Sequence, residues 1–424
     1  MKTKKVALIG SGMSGLHTLL AFEEKLDKNE YSVVCFERMA DVGGLWNFTE
    51  DVDIDSTDNL PVHSAMYKNL LTNTPRDLVE LPFTNFFHEN EPSFLPWQRY
   101  RDSLCQLAEA YDLRRLIKFR HYIENVTQQD NGFKLQVLNL NTKEEFTEYF
   151  DFVVVGTGRF NIPNWPARET NLLKSFNGVY IHSKNFKDPE LYKDKRVLLI
   201  GSGISVLDIA VLLKKYGAKK IVLNTKPNIM SKNCKLQWDD NFYEIRHPIT
   251  AVSENTITFA NDAKEEFDTI IACTGFLMKY PFLEEKLQPI VKVPFFPHLY
   301  DAIVSIDFPN LLFVGMVNFF LIKLTTYTQG LYIAKLLNNH MIDLPNKENM
   351  EKYMLEWYQR IPLNDEVYSI LEYHLTTTNY CKINCGKRLI DKRHLKLCFD
   401  VIQHALAGTD VTNMQMRLSD YAEL

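Results

Sequence analysis

Cysteine is sparse in this sequence and never falls at a spacing that defines a redox or metal site. The seven cysteines are an odd number, and they form no CxxC pair and no zinc-like ligand cluster. A disulfide framework and a structural zinc site are therefore not indicated, and no bound metal is expected. The thiols favour a reducing compartment, so we expect a cytoplasmic protein.

Long apolar runs and a strong excess of charge are missing as well. The longest apolar run, Leu311 to Ile322, has 12 residues and contains Asn318, whereas a membrane helix needs roughly 20 residues. The formal charge is only −5 over 424 residues and no block of one sign occurs, which argues against nucleic acid or anionic lipid as partners. We expect a soluble protein with small-molecule ligands, and a homo-oligomer is compatible with the sequence.

The most informative feature that is present is a near-repeat. Residues 6–16, VALIGSGMSGL, return as residues 197–207, VLLIGSGISVL, with 8 of 11 positions identical. Each copy begins as a continuously apolar strand, passes through glycines into a helical pattern, and leads to a second strand, at 31–37 and at 220–226. The repeat therefore predicts two βαβ units of the Rossmann type.

Two further strand exits indicate how these units are connected. FVVVGTG at 152–158 is matched by TIIACTG at 269–275, which favours two crossings between domains, and residues 117–149 have the pattern of an antiparallel insertion with a turn at 130–132. The chain is too long for one ordinary core. We therefore predict an α/β protein with two Rossmann-like dinucleotide-binding domains, the second (165–276) inserted into a discontinuous first domain (1–164 and 277–424).

The first glycine motif, Gly10-x-Gly12-x-x-Gly15, supplies what a pyrophosphate requires. It combines a tight turn, a backbone that phosphates can approach, and a helix N-terminus with free N–H groups. Glu37 ends the second strand 22 residues past Gly15, where a carboxylate can accept hydrogen bonds from both ribose hydroxyls. We predict a dinucleotide site here rather than a purely structural glycine turn.

The second unit differs at the position that selects the cofactor. Gly201 and Gly203 keep the two phosphate-facing glycines, whereas Val206 replaces the third. Lys226 ends the second strand in place of an acid, and a cation there suits a 2′-phosphate that a carboxylate would repel. NADP(H) is therefore favoured over NAD(H), unless Lys226 is merely solvated and the neighbouring Lys232 serves instead.

One acid-ended and one base-ended dinucleotide site in the same chain indicate an electron path from a nicotinamide to a flavin. The first domain is accordingly assigned to FAD and the inserted domain to NADP(H). A disulfide reductase would also need a redox cysteine pair at the flavin. Cys381 and Cys385 are spaced CxxxC and lie beyond the glycine motifs, so we interpret them as ordinary thiols.

Further motifs resemble those of the class B flavin-containing monooxygenases. The family's fingerprint is matched by FNGVYIHSKNF at 176–186, just ahead of the second glycine motif. GGLW at 43–46, TNTP at 72–75, YPFL at 280–283 and QG at 329–330 also occur where the family would place them. The resemblance covers nearly the whole chain and is strongest to the insect N-oxygenases of pyrrolizidine alkaloids such as senecionine.

The resemblance implies an NADPH- and O2-dependent flavoprotein monooxygenase that uses FAD and NADPH/NADP⁺. Such an enzyme oxygenates the nitrogen or sulfur of small nucleophiles through a C4a-hydroperoxyflavin. Tertiary amines such as pyrrolizidine alkaloids are the expected substrates, which suggests N-oxide formation in alkaloid detoxification. Two departures stand out: Phe186 has no following proline, which argues against the Baeyer–Villiger relatives, and Lys226 occupies a position where arginine is common.

The resemblance also implies roles for individual residues. Asn73 is the candidate catalytic residue, because an amide can donate and accept hydrogen bonds without ionising; the alternative is an Asx turn before Pro75. Trp46 is expected at the flavin or simply in the core, and His182 in a structural position. The implied cofactor-binding set comprises Gly10, Gly12, Met13, Ser14, Gly15, Glu37, Gly44, Leu45, Trp46, Thr72, Asn73, Thr74, Val126 and Gln329 for FAD, and Gly201, Gly203, Ser205, Asp208 and Lys226 for NADP(H).

Two other functions fit parts of the same pattern. An NADPH-dependent flavin reductase or oxidase would keep the fold and both cofactors without transferring oxygen to a substrate. A redox-inert protein could instead use bound nucleotides as a sensor or scaffold. The sequence leaves open whether nitrogen or sulfur is preferred, because the shape of the substrate pocket decides between them.

Overall fold

The computed structural model describes residues 2–225, 239–291, 296–316 and 322–360, together with a few positions between 393 and 420. Lys226, Lys232, Cys381 and Cys385 lie outside the described residues. Within those residues, no helix combines the length and the apolar character needed to cross a membrane.

The described strands follow one another along the chain as β1 (Lys4–Ile9), β2 (Tyr31–Glu37), β3 (Ile117–Phe119), β4 (His121–Gln129), β5 (Gly132–Asn139), β6 (Glu145–Phe150), β7 (Phe152–Val155), β8 (Ile162–Pro163), β9 (Val179–His182), β10 (Arg196–Ile200), β11 (Lys220–Asn224), β12 (Phe242–Ile245), β13 (Ile249–Ser253), β14 (Thr256–Phe259), β15 (Lys264–Glu266), β16 (Thr269–Ala272), β17 (Phe276–Leu277), β18 (Leu299–Tyr300), β19 (Val304–Ser305) and β20 (Leu311–Phe313).

The α-helices are α1 (Met13–Lys25), α2 (Arg76–Val79), α3 (Trp97–Ala110), α4 (Ala167–Leu172), α5 (Ile204–Lys215), α6 (Ile322–Asn338) and α7 (Lys347–Arg360). Short 3₁₀ helices span Gly44–Trp46, Leu113–Leu116, Leu173–Ser175, Ser183–Asn185, Pro189–Tyr192 and Glu285–Leu287.

Two separate sheets carry the two halves of the near-repeat. The first has seven strands in the order β18-β19-β20-β7-β1-β2-β3, with β1 parallel to β2 and β7. The second has five strands in the order β12-β11-β10-β16-β9, all parallel. In each, the strand before the glycine turn is followed by a helix and then by a parallel neighbour, so the prediction of two Rossmann-type folds is confirmed.

Both sheets are covered in the same way, which explains why their central strands are apolar at every position. In β1, Val6 and Leu8 pack on the side of α1 and α6, while Ala7 and Ile9 pack against the three-stranded sheet β4-β5-β6. Leu199 of β10 likewise packs on the α5 side. The opposite face of β10 packs against a second antiparallel sheet, β13-β14-β15, which the sequence pattern did not predict.

One strand end differs from its prediction. β11 ends at Asn224, two residues before Lys226, where the strand was expected to finish. The neighbouring strand β12 ends at Ile245, so the parallel ladder has no partner beyond this point. The Asn224 side chain closes the edge by donating hydrogen bonds to the carbonyl oxygens of Ile245 at 3.0 Å and His247 at 2.8 Å.

The two connections between the sheets run side by side, because β8 pairs antiparallel with β17. His182, at the end of β9, holds this junction: its Nε2–H donates to the Gly275 carbonyl oxygen at 2.9 Å and its Nδ1 accepts from the Lys184 N–H at 3.1 Å. Burial lowers the pKa of His182 to about 4, which keeps the imidazole neutral. The division into residues 165–276 and the flanking segments stays a prediction.

Candidate functional site

The first glycine turn tolerates no side chain at two of its three glycines. Gly10 has a φ of +96°, and a Cβ there would lie 3.1 Å from the Gly156 carbonyl oxygen. A Cβ on Gly15 would lie 1.9 Å from the Gly10 carbonyl oxygen. Helix α1 can therefore begin directly against the end of β1, which brings its N-terminus to the carboxyl edge of the sheet.

Two helix starts without side-chain caps meet at Gly12. Gly12 is the N-cap of α1, with no side-chain hydrogen bond to the cap and no acid in the first turn. Gly43 caps the 3₁₀ helix Gly44–Trp46 in the same manner, and a Cβ on Gly44 would come within 2.8 Å of the Gly12 Cα. Main-chain N–H groups from both starts are available to an anion, so this turn fits a diphosphate.

Glu37 stands beside this turn with its carboxylate already oriented. It is only 4% exposed; Oε2 accepts hydrogen bonds from Ser11 and Oε1 accepts one from the Met39 N–H at 2.8 Å. Burial raises the pKa of Glu37, while the hydrogen bonds from Met39 and Ser11 oppose that shift. A carboxylate has about four acceptor positions, so capacity remains for a ribose hydroxyl.

Asn73 is an exposed side chain between two buried threonines. Thr72 is fixed to Leu95 by two hydrogen bonds, from its own N–H at 2.8 Å and to its Oγ1 at 2.9 Å. The Asn73 Oδ1 accepts from the Thr74 hydroxyl at 3.2 Å. An Asx turn is not formed, because Pro75 has no N–H to donate. The segment thus presents the Asn73 amide from a rigid backbone.

Three residues from distant parts of the chain meet at the start of α1. The buried Gln329 of α6 accepts a hydrogen bond from the Gly315 N–H at 3.0 Å through Oε1. A Cβ on Gly315 would lie 2.5 Å from the Ser14 Oγ. Gln329 therefore shapes the backbone beside α1, close to where the sequence predicted a ligand contact.

The remaining residues predicted to bind the first cofactor differ in their surroundings. The half-buried ring of Trp46 packs edge to face on Tyr100, with ring centroids 4.5 Å apart, so a core role is part of its function. The Leu45 carbonyl accepts from the Ser64 hydroxyl at 2.8 Å. Val126 is fully buried, and its N–H and carbonyl are hydrogen bonded to Phe282 and Glu284. Val126 therefore lies in the core with Ala7 and Ile9 of β1, with its main-chain N–H and carbonyl both paired within the protein.

The second glycine turn repeats the close approach of the first. Gly201 has a φ of +147°, and a Cβ there would lie 2.2 Å from the Cys273 carbonyl oxygen. Gly203, the uncapped N-cap of α5, is exposed, and a Cβ there would meet no atom within 4 Å. Ser205 is exposed in the following turn. The start of α5 therefore faces open space, as a phosphate-binding helix start must.

Asp208 has a partner that sequence reasoning missed. Its Oδ2 accepts a hydrogen bond from the hydroxyl of Tyr67 at 2.8 Å. Burial raises the pKa of Asp208, and the hydrogen bond from Tyr67 opposes the shift. The two residues are 141 positions apart and Tyr67 belongs to no recognised motif, so no local signal could have paired them. Lys226, the predicted 2′-phosphate residue, lies outside the described residues.

Comparison with known proteins agrees with this geometry. The chain matches the flavin-binding monooxygenase-like family over residues 3–239 and 240–384. It is 30% identical to a trimethylamine monooxygenase of Pelagibacter sp. strain HTCC7211 over 359 residues, which is 83% of this chain and 79% of the relative. It is also 30% identical over 359 residues to the senecionine N-oxygenase of Tyria jacobaeae, covering 84% of this chain and 76% of the relative.

Solved structures give the same picture of the fold. The crystal structure of Tmm from Pelagibacter sp. strain HTCC7211 superposes with a TM-score of 0.82 at 28% identity, covering 95% of this chain and 89% of that one. S-allyl-L-cysteine S-oxygenase from Allium sativum superposes with a TM-score of 0.82 at 22% identity, covering 100% and 98%. The second similarity concerns the fold alone.

Proposed function

Since the chain belongs to the flavin-binding monooxygenase-like family, we propose that it is an N-oxygenase of small tertiary amines, with pyrrolizidine-type alkaloids among its substrates. Family membership itself makes the chain an NADPH-dependent flavoprotein monooxygenase, with FAD and NADP(H) as its cofactors and O2 as co-substrate. The amine preference is the further step. Two relatives support it, because one is named as an N-oxygenase of senecionine and the other as a monooxygenase of trimethylamine, a tertiary amine.

The first glycine turn is the proposed FAD site. Gly10, Gly12 and Gly15, with Met13 and Ser14, would hold the diphosphate at the start of α1, and Glu37 would accept a hydrogen bond from the ribose. Gly44, Leu45, Trp46, Thr72, Thr74 and Gln329 complete the proposed set, and Val126, whose N–H and carbonyl are paired within the protein, would contribute packing alone. Its support is the convergence of two uncapped helix starts on Gly12, beside a carboxylate that is fixed in place. This pairing of phosphate cradle and oriented acid is the observation that carries the proposal.

The second glycine turn is the proposed NADP(H) site. Gly201, Gly203 and Ser205 would receive the diphosphate at the start of α5, and Asp208 lies one turn further along the same helix. Lys226 is proposed to bind the 2′-phosphate on the basis of its charge and its place in the sequence. Having both sites in one chain explains how reducing equivalents pass from nicotinamide to flavin without a second protein.

Bound FAD supplies the redox chemistry and the activation of O2. The protein's own task is to bind, to orient and to keep water away from the reacting atoms. Asn73 is proposed to hydrogen-bond the reacting edge of the cofactor, since its amide cannot ionise and its backbone is fixed through Thr72 and Leu95. The proposed role requires no acid or base, and residues 72–75 contain only Thr, Asn and Pro. The cytoplasmic location and the option of a homo-oligomer stay predictions.

The proposal is tested with purified holoenzyme, NADPH and O2, and a panel of trimethylamine, a pyrrolizidine alkaloid and dimethyl sulfide. We expect N-oxide formation in step with NADPH oxidation, read by mass spectrometry and absorbance, with little hydrogen peroxide released. Equal consumption of NADPH and release of hydrogen peroxide with every substrate would instead identify a reductase or oxidase. A flavin that does not bleach with NADPH under anaerobic conditions would identify a redox-inert protein, and faster turnover of the sulfide would overturn the amine preference alone.

A further inference from the structure

A short piece of the chain near the proposed FAD site is bound to the second sheet and its helices. We define residues 64–69 as the connecting segment. Five hydrogen bonds join it to the inserted part of the chain. Two reach Lys187: its carbonyl accepts from the Lys68 N–H at 2.8 Å, and its Nζ donates to the Ser64 carbonyl at 2.7 Å. The other three are side-chain bonds, from Tyr67 to Asp208 at 2.8 Å, from Lys68 to Asp188 at 2.7 Å and from Asn69 to Tyr216 at 2.7 Å.

The next residues are bound to the first part of the chain instead. The Leu70 carbonyl accepts from the Trp97 N–H at 3.1 Å, and Thr72 exchanges two hydrogen bonds with Leu95. Asn73 lies six positions after Tyr67, so their Cα atoms are at most about 20 Å apart even along a fully extended chain. The Tyr67 side chain and six residues of backbone therefore connect α5 to the candidate catalytic amide.

Among these bonds, the hydrogen bond between Tyr67 and Asp208 is the one that fixes the position of the connecting segment relative to α5. The Tyr67 ring is 7% exposed and packs edge to face on Phe186, with centroids 5.4 Å apart. Phe186 is fully buried and has Tyr192 stacked on it at 5.1 Å. Asp208 lies in the second turn of α5. A directional, partly buried hydrogen bond thus ties the connecting segment to the helix whose start is the proposed phosphate site.

We propose that Tyr67 is a positioning residue, which holds Asn73 in register with the start of α5 through its hydrogen bond to Asp208. The inference rests on the proposed function, which requires NADP(H) at the start of α5 and the reacting edge of FAD near Asn73 to lie next to each other. Loss of the bond would loosen the connecting segment and spoil the coupling between NADPH oxidation and oxygen transfer. We expect FAD binding to stay unchanged, because the Tyr67 hydroxyl is bonded to α5 and its ring packs on Phe186, both in the second part of the structure.

Tyr67→Phe removes the hydroxyl and keeps the ring, and Tyr192→Phe is its matched control. Tyr192 lies on the same phenylalanine, and its hydroxyl makes no hydrogen bond to the described residues. We expect Tyr67→Phe to raise the fraction of NADPH oxidation that ends in hydrogen peroxide about threefold or more, with the FAD content of the purified protein at the wild-type level. Tyr192→Phe should match wild type in both measurements. A wild-type peroxide fraction in Tyr67→Phe, or the same rise in both variants, would overturn the proposal.

Hydrogen–deuterium exchange separates this proposal from the proposed function, because it requires no turnover. Amides of residues 64–74 should exchange faster in Tyr67→Phe and at the wild-type rate in Tyr192→Phe. If no amine or sulfide is oxygenated but the exchange differs as stated, the proposed function fails and the positional role of Tyr67 stands. Unchanged exchange in Tyr67→Phe overturns that role even in an active N-oxygenase.

Variants of Asp208 test whether the bond itself is responsible. Asp208 belongs to the proposed NADP(H) site, so its variants are compared by exchange alone. Asp208→Asn keeps an oxygen that can accept from Tyr67, whereas Asp208→Leu does not. We expect Asp208→Leu to speed amide exchange of residues 64–74 as Tyr67→Phe does, with little further change in the double variant. Asp208→Asn should keep most of the wild-type protection. Equal exchange in the two Asp208 variants would show that the bond is not the cause.

Discussion

The carboxylate of Glu37 accepts two hydrogen bonds from Ser11, one from the main-chain N–H at 2.7 Å and one from the hydroxyl at 3.0 Å. Ser11 lies inside the first glycine turn, so these bonds hold the acid and the turn together. Burial makes this arrangement costly for a lone carboxylate, and the hydrogen bonds offset that cost. The proposed FAD site therefore has its acid fixed in place by hydrogen bonds within the protein.

Glu37→Gln is expected to weaken FAD binding. The glutamine NH2 group would face the Ser11 N–H and hydroxyl, or its single oxygen would face them and leave the Met39 N–H opposite another donor. We expect the dissociation constant of FAD to rise roughly tenfold or more, read by flavin fluorescence during titration of the apoprotein. Ser11→Ala, which removes one of the two bonds, should have a smaller effect. Equal FAD affinity in wild type and Glu37→Gln would contradict the assigned role.

Asn73→Ala is expected to impair oxygen transfer without impairing the fold. The side chain is exposed, and exposed substitutions usually change the free energy of unfolding by less than about 0.5 kcal/mol. We expect product formed per NADPH consumed to fall about tenfold while NADPH oxidation continues, measured as N-oxide against hydrogen peroxide. Asn29→Ala, an exposed asparagine at the opposite edge of the first sheet, is the control. A wild-type product yield in Asn73→Ala would remove this residue from the active site.

Gly203→Ala is expected to weaken NADPH binding and leave the protein stable. A Cβ there meets no atom within 4 Å and the backbone φ of −92° suits alanine, yet the methyl group would occupy the open space at the start of α5. We expect the KM for NADPH to rise roughly tenfold with little change in melting temperature. Gly15→Ala makes the contrast, because its Cβ would lie 1.9 Å from the Gly10 carbonyl and should lower melting temperature and FAD content together. An unchanged KM in Gly203→Ala would place NADPH elsewhere.

His182 predicts a loss of stability in mild acid. The imidazole has a pKa of about 4 in the folded protein, against 6.5 in the absence of burial, so the unfolded chain binds the extra proton between these values. Stability is therefore lost as the pH falls from 6.5 towards 4, by about 2 kcal/mol at pH 5 from this residue. His182→Gln keeps a donor for the Gly275 carbonyl and does not titrate.

The measurement for His182 is the melting temperature of wild type and His182→Gln at pH 7 and pH 5. We expect the melting temperature of the variant to fall less between pH 7 and pH 5 than that of wild type, so that the difference between the two melting temperatures narrows or reverses. His63, whose pKa is also lowered to about 4 by burial, should account for part of the loss that persists. Parallel losses in both proteins would show that His182 does not govern the acid response.

Lys226→Ala is expected to reduce the preference for NADPH over NADH. Removal of the cation would weaken binding of the 2′-phosphate, and we expect kcat/KM to fall about tenfold with NADPH and to stay near wild type with NADH. Lys215→Ala removes an equal charge at the far end of α5 and should change neither. If Lys226→Ala keeps the wild-type ratio of the two kcat/KM values, Lys232 is the next residue to substitute.

Much of the fold could be predicted because its signals are local. A continuously apolar strand followed by Gly10-Ser-Gly12 gives a parallel strand and a tight turn wherever it occurs, and the same letters at 201–203 gave the second unit. The limits of β2 were read correctly because Glu37 interrupts the apolar run. The end of β11 was misjudged because β12 decides it, and β13-β14-β15 was missed because short, half-exposed strands carry little periodicity.

The sequence by itself determined the two strand–glycine turn–helix units and the family, because glycine spacing and strand patterning act over about a dozen neighbouring residues. The tertiary structure alone decided that Ser11 donates to Glu37, that Gln329 accepts a hydrogen bond from Gly315, and that Tyr67 donates to Asp208, 141 positions away. Such contacts form between side chains that folding brings together from separate strands and helices. No spacing rule encodes them, since their geometry depends on how the two sheets and their helices pack.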